Sequence, residues 1–365
     1  MNKRKKKTKR KMIRKNKNSV LLLALFFSLM GAGELSAAED VDVKAIVFEH
    51  LQDSYEWHIV TIGDHDITIH LPVIVHSKET GWHLFSSSKL EAGYDGLYLA
   101  PEGKYTGKVV ERNSAGEEVR PLDLSFTKTA AALVINGIVL LLVILPLARW
   151  YKKHEHTPPK GFRGAVELLL MDIEDNVIRP CIPNDYKRFS PYLLTVFFFV
   201  LISNVMGLIP FLPGGANVTG NISITLFLAL CTFLAINLFG TKEYWKDVFW
   251  PDVPTWLKVP APIMPVIEVF GVFTKPFALM IRLFANMMAG HSAIIGLVCL
   301  IFITVSMGVA VNMGMSVVAI LFAIFMNFLE ILVAYIQAYV FTLLSAVFIG
   351  MAREKSVAEE AVEKN

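Results

Sequence analysis

The chain has 365 residues, of which 54% are hydrophobic and 18% are charged, and its mean hydropathy is +0.50. Because soluble domains carry about 25% charged residues, this composition excludes an ordinary soluble protein and favours a membrane protein. The net charge of +3 is unevenly distributed: residues 1–38 hold eleven Lys and Arg against Glu34, a net charge of +10, so the rest of the chain is −7.

Residues 1–38 look like a signal peptide for secretion. A basic stretch leads into an apolar run at 20–30, and small residues follow at Ser36, Ala37 and Ala38, which is the order found in cleaved signals. A retained signal anchor is an alternative. A basic tail for nucleic acid is disfavoured because the apolar run follows directly, and we expect no nucleic-acid partner. Cleavage would leave the mature N-terminus outside the cytoplasm.

Residues 39–125 are predicted to form a small β-rich extracytoplasmic domain, because polar sequence with period-two β-branched and aromatic stretches alternates there with glycine turns. Imidazole is a common metal ligand. The segment contains no closely spaced HxH or HxxxH pair, however, so we expect surface histidines and no metal site. The segment holds six of the nine histidines, namely His50, His58, His65, His70, His76 and His83.

The first membrane span is predicted at 129–147. Arg149, Lys152 and Lys153 follow it closely, so the positive-inside rule places this end in the cytoplasm. Apolar and charged residues then alternate at helical spacing over 160–190, which indicates an amphipathic helix on the cytoplasmic surface or, alternatively, a helix of a soluble subdomain. The expected apolar face consists of Phe162, Val166, Leu169, Leu170, Ile173 and Val177.

Four further spans are predicted, at 191–210, 222–240, 262–305 and 315–352. The last two, joined by a turn at 306–316, exceed the ~20 residues of a perpendicular crossing, so they must tilt, or kink near Gly290 or Gly296.

The predicted fold is an all-α membrane protein with five transmembrane helices at 126–352, the last two long and tilted. The surface amphipathic helix and the β-rich N-terminal domain complete it. The Lys and Arg of the loops place the N-terminus outside and the tail at 353–365 in the cytoplasm.

Between residues 276 and 352 only Arg282 and Glu330 carry a formal charge, and His291 is titratable. An ionised group at bilayer depth costs about 2.5 to 3.5 kcal/mol on insertion scales, so it marks a functional site by default. An arginine cannot avoid this cost by losing its proton. We therefore expect the function to centre on Arg282.

Helical spacing places polar side chains on both sides of Arg282. Glu268 lies fourteen residues earlier and Asn286 four residues later, so both share its helix face. At ~1.5 Å per residue, Glu268 is ~21 Å toward the cytoplasm and His291 ~13 Å toward the outside.

The last span carries Glu330 and Gln337 seven residues apart on one face. If Gln337 is level with Arg282, Glu330 lies ~10 Å toward the outside, at a depth similar to that of His291. Glutamate and histidine relay protons, whereas a guanidinium does not. The pattern therefore predicts a proton path that a fixed positive charge interrupts.

Structural alternatives remain for each of these residues. If Arg282 and Glu330 form a buried ion pair, each neutralises the charge of the other. Asn286 and Gln337 as hydrogen-bonding contacts between helices would need no transport role. Lys275 is better explained as a side chain that extends to the membrane interface.

Residues 265–291 and 329–349 closely resemble subunit a of the F-type ATP synthase membrane sector. The family pattern R-L-F-x-N-M-x-A-G lies at 282–290, and the pattern Q-A-[YF]-[IV]-F lies at 337–341. The polar start of the helix at 221–230 is also similar. The resemblance covers about 125–352, and its motifs are highly specific.

The resemblance implies a proton-conducting stator subunit that couples proton flow to ATP synthesis. It implies that Arg282 separates two half-channels and faces the carboxylates of a rotating ring of c subunits. The other implied pathway residues are Glu268 in the cytoplasmic half-channel, His291 and Glu330 in the outer one, and Asn286 and Gln337 beside the arginine.

The implied partners are the c-subunit ring, the b-subunit peripheral stalk, the remaining ATP synthase subunits and the lipid of a bacterial inner membrane. No cofactor and no ATP-hydrolysing site are expected in this chain. Two features depart from the family: Thr219 stands where an acidic residue is common, and residues 39–125 lie outside the common core.

Two functions of other classes compete with this interpretation. A secondary transporter would use Arg282 to bind an anionic substrate, but it predicts inverted internal repeats, which the sequence lacks. If the chain is a membrane anchor, residues 39–125 carry its function, and Arg282 and Glu330 form only a structural pair.

Overall fold

The computed structural model describes residues 53–62, 65–90, 93–101, 105–112, 118–154, 157–209, 215–250 and 263–353. The expected signal peptide at 1–38, His50 and the tail after residue 353 lie outside these described residues.

The N-terminal part of the described chain is β-rich, as the sequence predicts. Its strands form three small antiparallel sheets, ordered β1-β2, β4-β3-β8 and β5-β6-β7. In β3 the alternate residues Val73, Val75 and Ser77 are buried, which is the period-two pattern of a half-buried strand. The strands are β1 Glu56–Ile62, β2 His65–His70, β3 Pro72–Ser77, β4 Gly81–Ser86, β5 Leu97–Leu99, β6 Val109–Arg112, β7 Glu118–Val119 and β8 Leu122–Asp123.

The central sheet of this domain has one buried face and one exposed face. Val73, Val75 and Phe85 belong to the core of the domain. The opposite face carries Trp82 and Leu84 of β4, which are 63% and 72% exposed. This face is therefore apolar but not covered by the rest of the described chain.

Within the described residues, seven α-helices of eight residues or more follow the β-rich domain. Five of them are long and apolar enough to cross a membrane, which agrees with the predicted number of spans. The helices are α1 Lys128–Lys153, α2 Phe162–Ile173, α3 Tyr186–Leu208, α4 Ile222–Phe239, α5 Lys242–Phe249, α6 Ile263–Ile303 and α7 Val309–Arg353. The chain belongs to the multi-pass class of membrane proteins, with the β-rich domain before the first span.

α6 agrees with its predicted span to within two residues at each end, whereas α7 begins six residues earlier than the sequence indicated. α6 has 41 residues and α7 has 45, which corresponds to more than ~60 Å at ~1.5 Å per residue, about twice the thickness of the hydrocarbon core. The turn predicted at 306–316 is wrong in extent. A single 3₁₀ turn, Thr304–Met307, leads to Gly308, whose φ of 103° suits glycine, and α7 begins at the next residue.

The surface helix differs from its prediction in two ways. It is not α-helical throughout, because α2 passes without a break into a π-helical turn, Glu174–Ile178, and a short α-helical turn, Arg179–Cys181. Val166, Ile173 and Val177 are buried as expected, but Phe162 is 70% exposed. The short helix α5 was not anticipated within the loop at 241–262.

Three of the other spanning helices pack around α7. It contacts α3, α4 and α6, while α1 packs on α3. Hydroxyl groups join three helices inside this packing: the Tyr192 hydroxyl lies 3.0 Å from the Thr232 hydroxyl, which lies 3.3 Å from that of Ser345. Such hydrogen bonds add to van der Waals packing where no hydrophobic force drives helices together.

The C-terminal end of α7 is tightly joined to the segment before α3. The Nε atom of Arg353 donates to Asp185 Oδ2 at 2.8 Å, and its Nη1 donates to the carbonyl of Phe239 at 3.0 Å. Gly350 passes so close to this segment that a β-carbon there would lie 2.1 Å from the carbonyl oxygen of Cys181. Only a glycine permits this approach without moving backbone.

We predict that Gly350→Ala destabilises the protein by about 1–3 kcal/mol, the usual cost of overpacking a tight contact. The measurement is the midpoint of thermal unfolding of the detergent-solubilised protein. Gly314→Ala in the same helix is the matched control, because a β-carbon there meets no atom within 4 Å. Equal midpoints for the two variants would contradict the packing described here.

Candidate functional site

The structure brings His291 of α6 into contact with Glu330 of α7. The Nδ1 atom of His291 lies 2.7 Å from Glu330 Oε1, and the Glu330 side chain is 4% exposed. The antiparallel depth argument anticipated this pairing. Glu330 is therefore paired with His291 and not with Arg282, which removes the alternative of a buried Arg282–Glu330 ion pair.

One of these two side chains must carry an additional proton. The Nε2 atom of His291 lies 3.2 Å from the carbonyl oxygen of Gly207 in α3. A carbonyl only accepts, so Nε2 carries a hydrogen and the neutral ring presents a lone pair at Nδ1. A carboxylate facing that lone pair at 2.7 Å requires one additional proton, on either partner.

The pair is incompletely satisfied by the protein. The contact between Nδ1 and Oε1 is short, but its angles are not those of a formed hydrogen bond, and among the described residues Glu330 Oε2 is also buried without a donor. Buried polar atoms normally have a partner, either protein or water. The pair therefore retains hydrogen-bonding capacity that the described residues do not use.

Gly290 makes room for the carboxyl group of Glu330. A β-carbon at this position would lie 2.8 Å from Oε1 and 3.1 Å from the carboxyl carbon. α6 is continuously helical through Gly290. The space left by the missing β-carbon is taken by the carboxyl end of the Glu330 side chain.

A row of buried polar groups extends from the pair toward the loop between α3 and α4. Thr219 Oγ1 donates to Asn204 Oδ1 at 2.7 Å, and Asn204 Nδ2 donates to the carbonyl of Ala334 at 3.2 Å, one turn beyond Glu330. Asn136 Nδ2 of α1 donates to Ser203 Oγ at 3.2 Å. All four side chains are almost completely buried.

Sequence reasoning missed Asn136 and gave Ser203 and Asn204 no role. The signal was available, because a single asparagine inside the apolar run of a membrane helix is costly without a partner. Thr219 was noticed only as a departure from the family pattern. Its position next to Asn204 required the fold.

Arg282 lies on the exposed surface of α6. Its guanidinium has no hydrogen-bond or ion-pair partner within the described parts of the chain, and Asn286, one turn later, is exposed beside it. A permanent charge at this depth is costly unless another group neutralises it. No described residue of this chain supplies that group.

The remaining residues of the predicted pathway lie apart from the pair. Gln337 of α7 is buried, two turns from Glu330. Glu268 is half-buried near the start of α6 and lies near Tyr244 of α5, where burial and this carboxylate raise the pKa of the phenol. Lys275 lies 5.7 Å from the ring of Phe348, so its stem stays against the bundle.

The described histidines of the β-rich domain are dispersed. His70 Nδ1 lies 3.0 Å from Glu56 Oε1, and His83 Nδ1 lies 3.6 Å from Asp95 Oδ2, while His76 packs edge-on against Trp82. No group of three or more potential metal ligands occurs within the described residues.

Comparison with known proteins separates the chain into two matched regions. Residues 131–350 match the family described as ATP synthase A chain, and residues 46–125 match a domain of unknown function, DUF8433. The first match covers the five spans and every candidate residue of the site.

Individual relatives point to the same family. An ATP synthase subunit a from Chloroherpeton thalassium is 42% identical over 242 residues, covering 64% of this chain and 68% of the relative. ATP synthase subunit a 2 of Chlorobaculum tepidum is 42% identical over 67% of this chain and 68% of its own length. The subunit of an Anaeromyxobacter species is 32% identical, over 88% and 73%. The chain therefore belongs to the ATP synthase A chain family, the membrane-sector subunit a of F-type ATP synthases.

Proposed function

We propose that this chain conducts protons as two offset half-channels separated by Arg282, and so loads and unloads the carboxylates of a rotating c-subunit ring. The observation that carries the proposal is the exposed guanidinium of Arg282, which has no partner among the described residues. A stationary cation on the surface of a membrane helix fits an anion that arrives on a neighbouring subunit.

Electrostatics supply the mechanism. A ring carboxylate is neutral while it faces lipid, because an ionised carboxylate is expensive there. Beside Arg282 the opposite charge favours the ionised form, so the carboxyl group releases its proton into one half-channel. After it passes Arg282 it takes a proton from the other, and the guanidinium blocks direct leakage between them.

In this proposal His291 and Glu330 form the proton-exchanging pair of the outer half-channel, and Glu268 belongs to the cytoplasmic one. Asn286 and Gln337 are polar neighbours of Arg282. A proton-motive force of ~100 mV supplies ~2.3 kcal/mol per charge, which biases the rotation over successive steps.

The proposed setting is a bacterial inner membrane, with the mature N-terminus in the periplasm and the C-terminus in the cytoplasm. Residues 1–38 would then be a signal peptide, 39–125 a periplasmic domain and 353–365 a cytoplasmic tail. The c-subunit ring, the b-subunit peripheral stalk and the other synthase subunits are the proposed partners, and this chain contributes ion translocation, not ATP chemistry.

We predict that Arg282→Ala abolishes proton-driven ATP synthesis while the complex still assembles, because nothing then stabilises the ionised ring carboxylate. ATP synthesis by energised membrane vesicles measures this, and subunit content is checked on the same membranes. Lys275→Ala removes the neighbouring cation of α6 and should retain synthesis. Full coupling in the Arg282 variant would overturn the proposal.

We also predict that His291→Ala and Glu330→Ala slow proton transport without abolishing it, since water at the vacated site still carries protons to the ring. Proton uptake by the same vesicles, driven by a potassium diffusion potential, gives the rate. A complete loss in either variant, equal to that of Arg282→Ala, would contradict the division of roles.

Gly290→Ala should lower the rate of proton transport by about 10- to 100-fold, the loss expected when a reacting group is displaced by an ångström. The new methyl group would push the Glu330 carboxyl group away from His291. Gly296→Ala is the matched control on α6, because a β-carbon there meets no atom within 4 Å. Similar rates for both variants would show that the close approach of the helices is dispensable.

A further inference from the structure

The β-rich domain contacts the membrane helices through one apolar cluster, which we term the domain–bundle cluster. Trp57 of β1 is 4% exposed and yet does not belong to the core of its own domain. Its burial depends on the helices. The cluster consists of Trp57, Leu71, Ala131, Ala132, Ala216 and Val218.

This cluster joins three parts of the chain at one end of the bundle. Ala131 and Ala132 belong to the first turns of α1, while Ala216 and Val218 belong to the loop between α3 and α4, here called the outer loop. Hydrogen bonds reinforce the contact between the domain and α1. The backbone amide of Lys128 donates to the carbonyl oxygen of Ser54, and that of Thr129 donates to the carboxylate of Asp53. The domain therefore fixes α1 and the outer loop relative to each other.

Both of these parts reach the same place on α3. In the outer loop, Thr219 follows Val218 and donates to Asn204 at 2.7 Å. In α1, Asn136 lies one turn beyond Ala132 and donates to Ser203 at 3.2 Å. Two chains of contacts, one through the outer loop and one through α1, thus lead from the domain–bundle cluster to adjacent residues of α3.

The same turn of α3 contacts His291 and the helix that carries Glu330. Asn204 donates to the carbonyl of Ala334, one turn beyond Glu330. The carbonyl of Gly207 faces Nε2 of His291 at 3.2 Å. The position of α3 therefore decides how His291 is held and how close α7 lies to it.

We propose that the β-rich domain is a positioning element of the outer half-channel. Through Trp57 and Val218 it holds the outer loop and α1, so that Thr219 and Asn136 keep α3 against the His291–Glu330 pair. Thr219 acts through Asn204 and carries no proton itself. This inference rests on the proposed function, because it assigns the domain a role in the same proton path.

The charged groups near the pair are few. Apart from His291 and Glu330, Arg282 on α6 is the charged residue closest along either helix. The other elements contribute none, since residues 129–148 and 201–240 contain no Asp, Glu, Lys, Arg or His. A change in the proton dependence of transport would therefore report on the pair.

The first test uses Thr219, where two substitutions separate the effect of the hydroxyl group from the effect of side-chain volume. Thr219→Val keeps the volume and removes the donor, whereas Thr219→Ser keeps the donor. Proton uptake is measured in vesicles stripped of the ATP-hydrolysing sector, with the proton concentration varied separately on each side. Thr219→Val should raise the half-saturating concentration on the side of the β-rich domain roughly five-fold, the factor that corresponds to one neutral hydrogen bond, and Thr219→Ser should restore it.

The second test uses the contact between the domain and the loop. Trp57→Ala and Val218→Ala remove opposite sides of it and should give the same one-sided shift, and the double variant should shift no further than either alone. Trp82→Ala is the matched control, since Trp82 belongs to the same domain but is 63% exposed. If Trp57→Ala prevents assembly, Val218→Ala and the Thr219 pair still decide the question.

The outcomes distinguish this inference from the proposed function. If Arg282→Ala abolishes synthesis while the Thr219 and Val218 variants transport protons as the unaltered protein does, the domain has no positioning role and the inference fails alone. Equal shifts on both sides of the membrane would also overturn it, because they would indicate general loosening. If Arg282→Ala retains coupling, the proposed function fails first.

Discussion

A permanent positive charge without a partner in the described part of its own chain is the constraint on which the rest of this structure depends. Arg282 cannot lose its proton, and it projects from the exposed surface of α6 at a depth where its neighbours along the helix are apolar. Such a group is tolerated only if an anion from another subunit, or water in a cavity, neutralises it. The family to which the chain belongs works in assemblies with other membrane subunits, which offers such a partner.

The pair of His291 and Glu330 is a second titratable site, and it differs from Arg282 because it lies inside the helix bundle. His291 and Glu330 face the interior, where α3, α6 and α7 enclose them, and Gly290 leaves the space that the carboxyl group needs. In the proposed function this arrangement separates two tasks: the fixed charge would meet the partner surface, while the enclosed pair would exchange protons with water from one side of the membrane.

Much of this architecture could be predicted from the sequence, because lipid imposes simple rules. Five apolar runs gave five spans, and the antiparallel depth argument gave the contact between His291 and Glu330. The residues at which the loops begin and end were harder to predict. The turn before α7 was predicted as eleven residues at 306–316, yet only the segment up to Gly308 departs from α-helix, since an uncharged, small-residue turn has no compositional boundary.

The contacts between distant segments were beyond sequence reasoning. Asn136, Asn204 and Thr219 come from three different segments, and neither periodicity nor charge indicates that they lie within one turn of α3. Trp57 illustrates the same limit: only the fold reveals that its side chain is buried against the outer loop. The position of the β-rich domain on the bundle could not have been derived from either part alone.

Cross-linking in native membranes tests the central claim most directly. Asn286→Cys places a thiol one exposed turn from Arg282, and a second cysteine is placed beside the membrane carboxylate of the c subunit. The account predicts a disulfide between the two subunits on mild oxidation, and none from Leu226→Cys, an exposed position on α4. If Asn286→Cys instead reacts only with lipid-soluble reagents and never with the ring, the cation does not face a rotor and the account is contradicted.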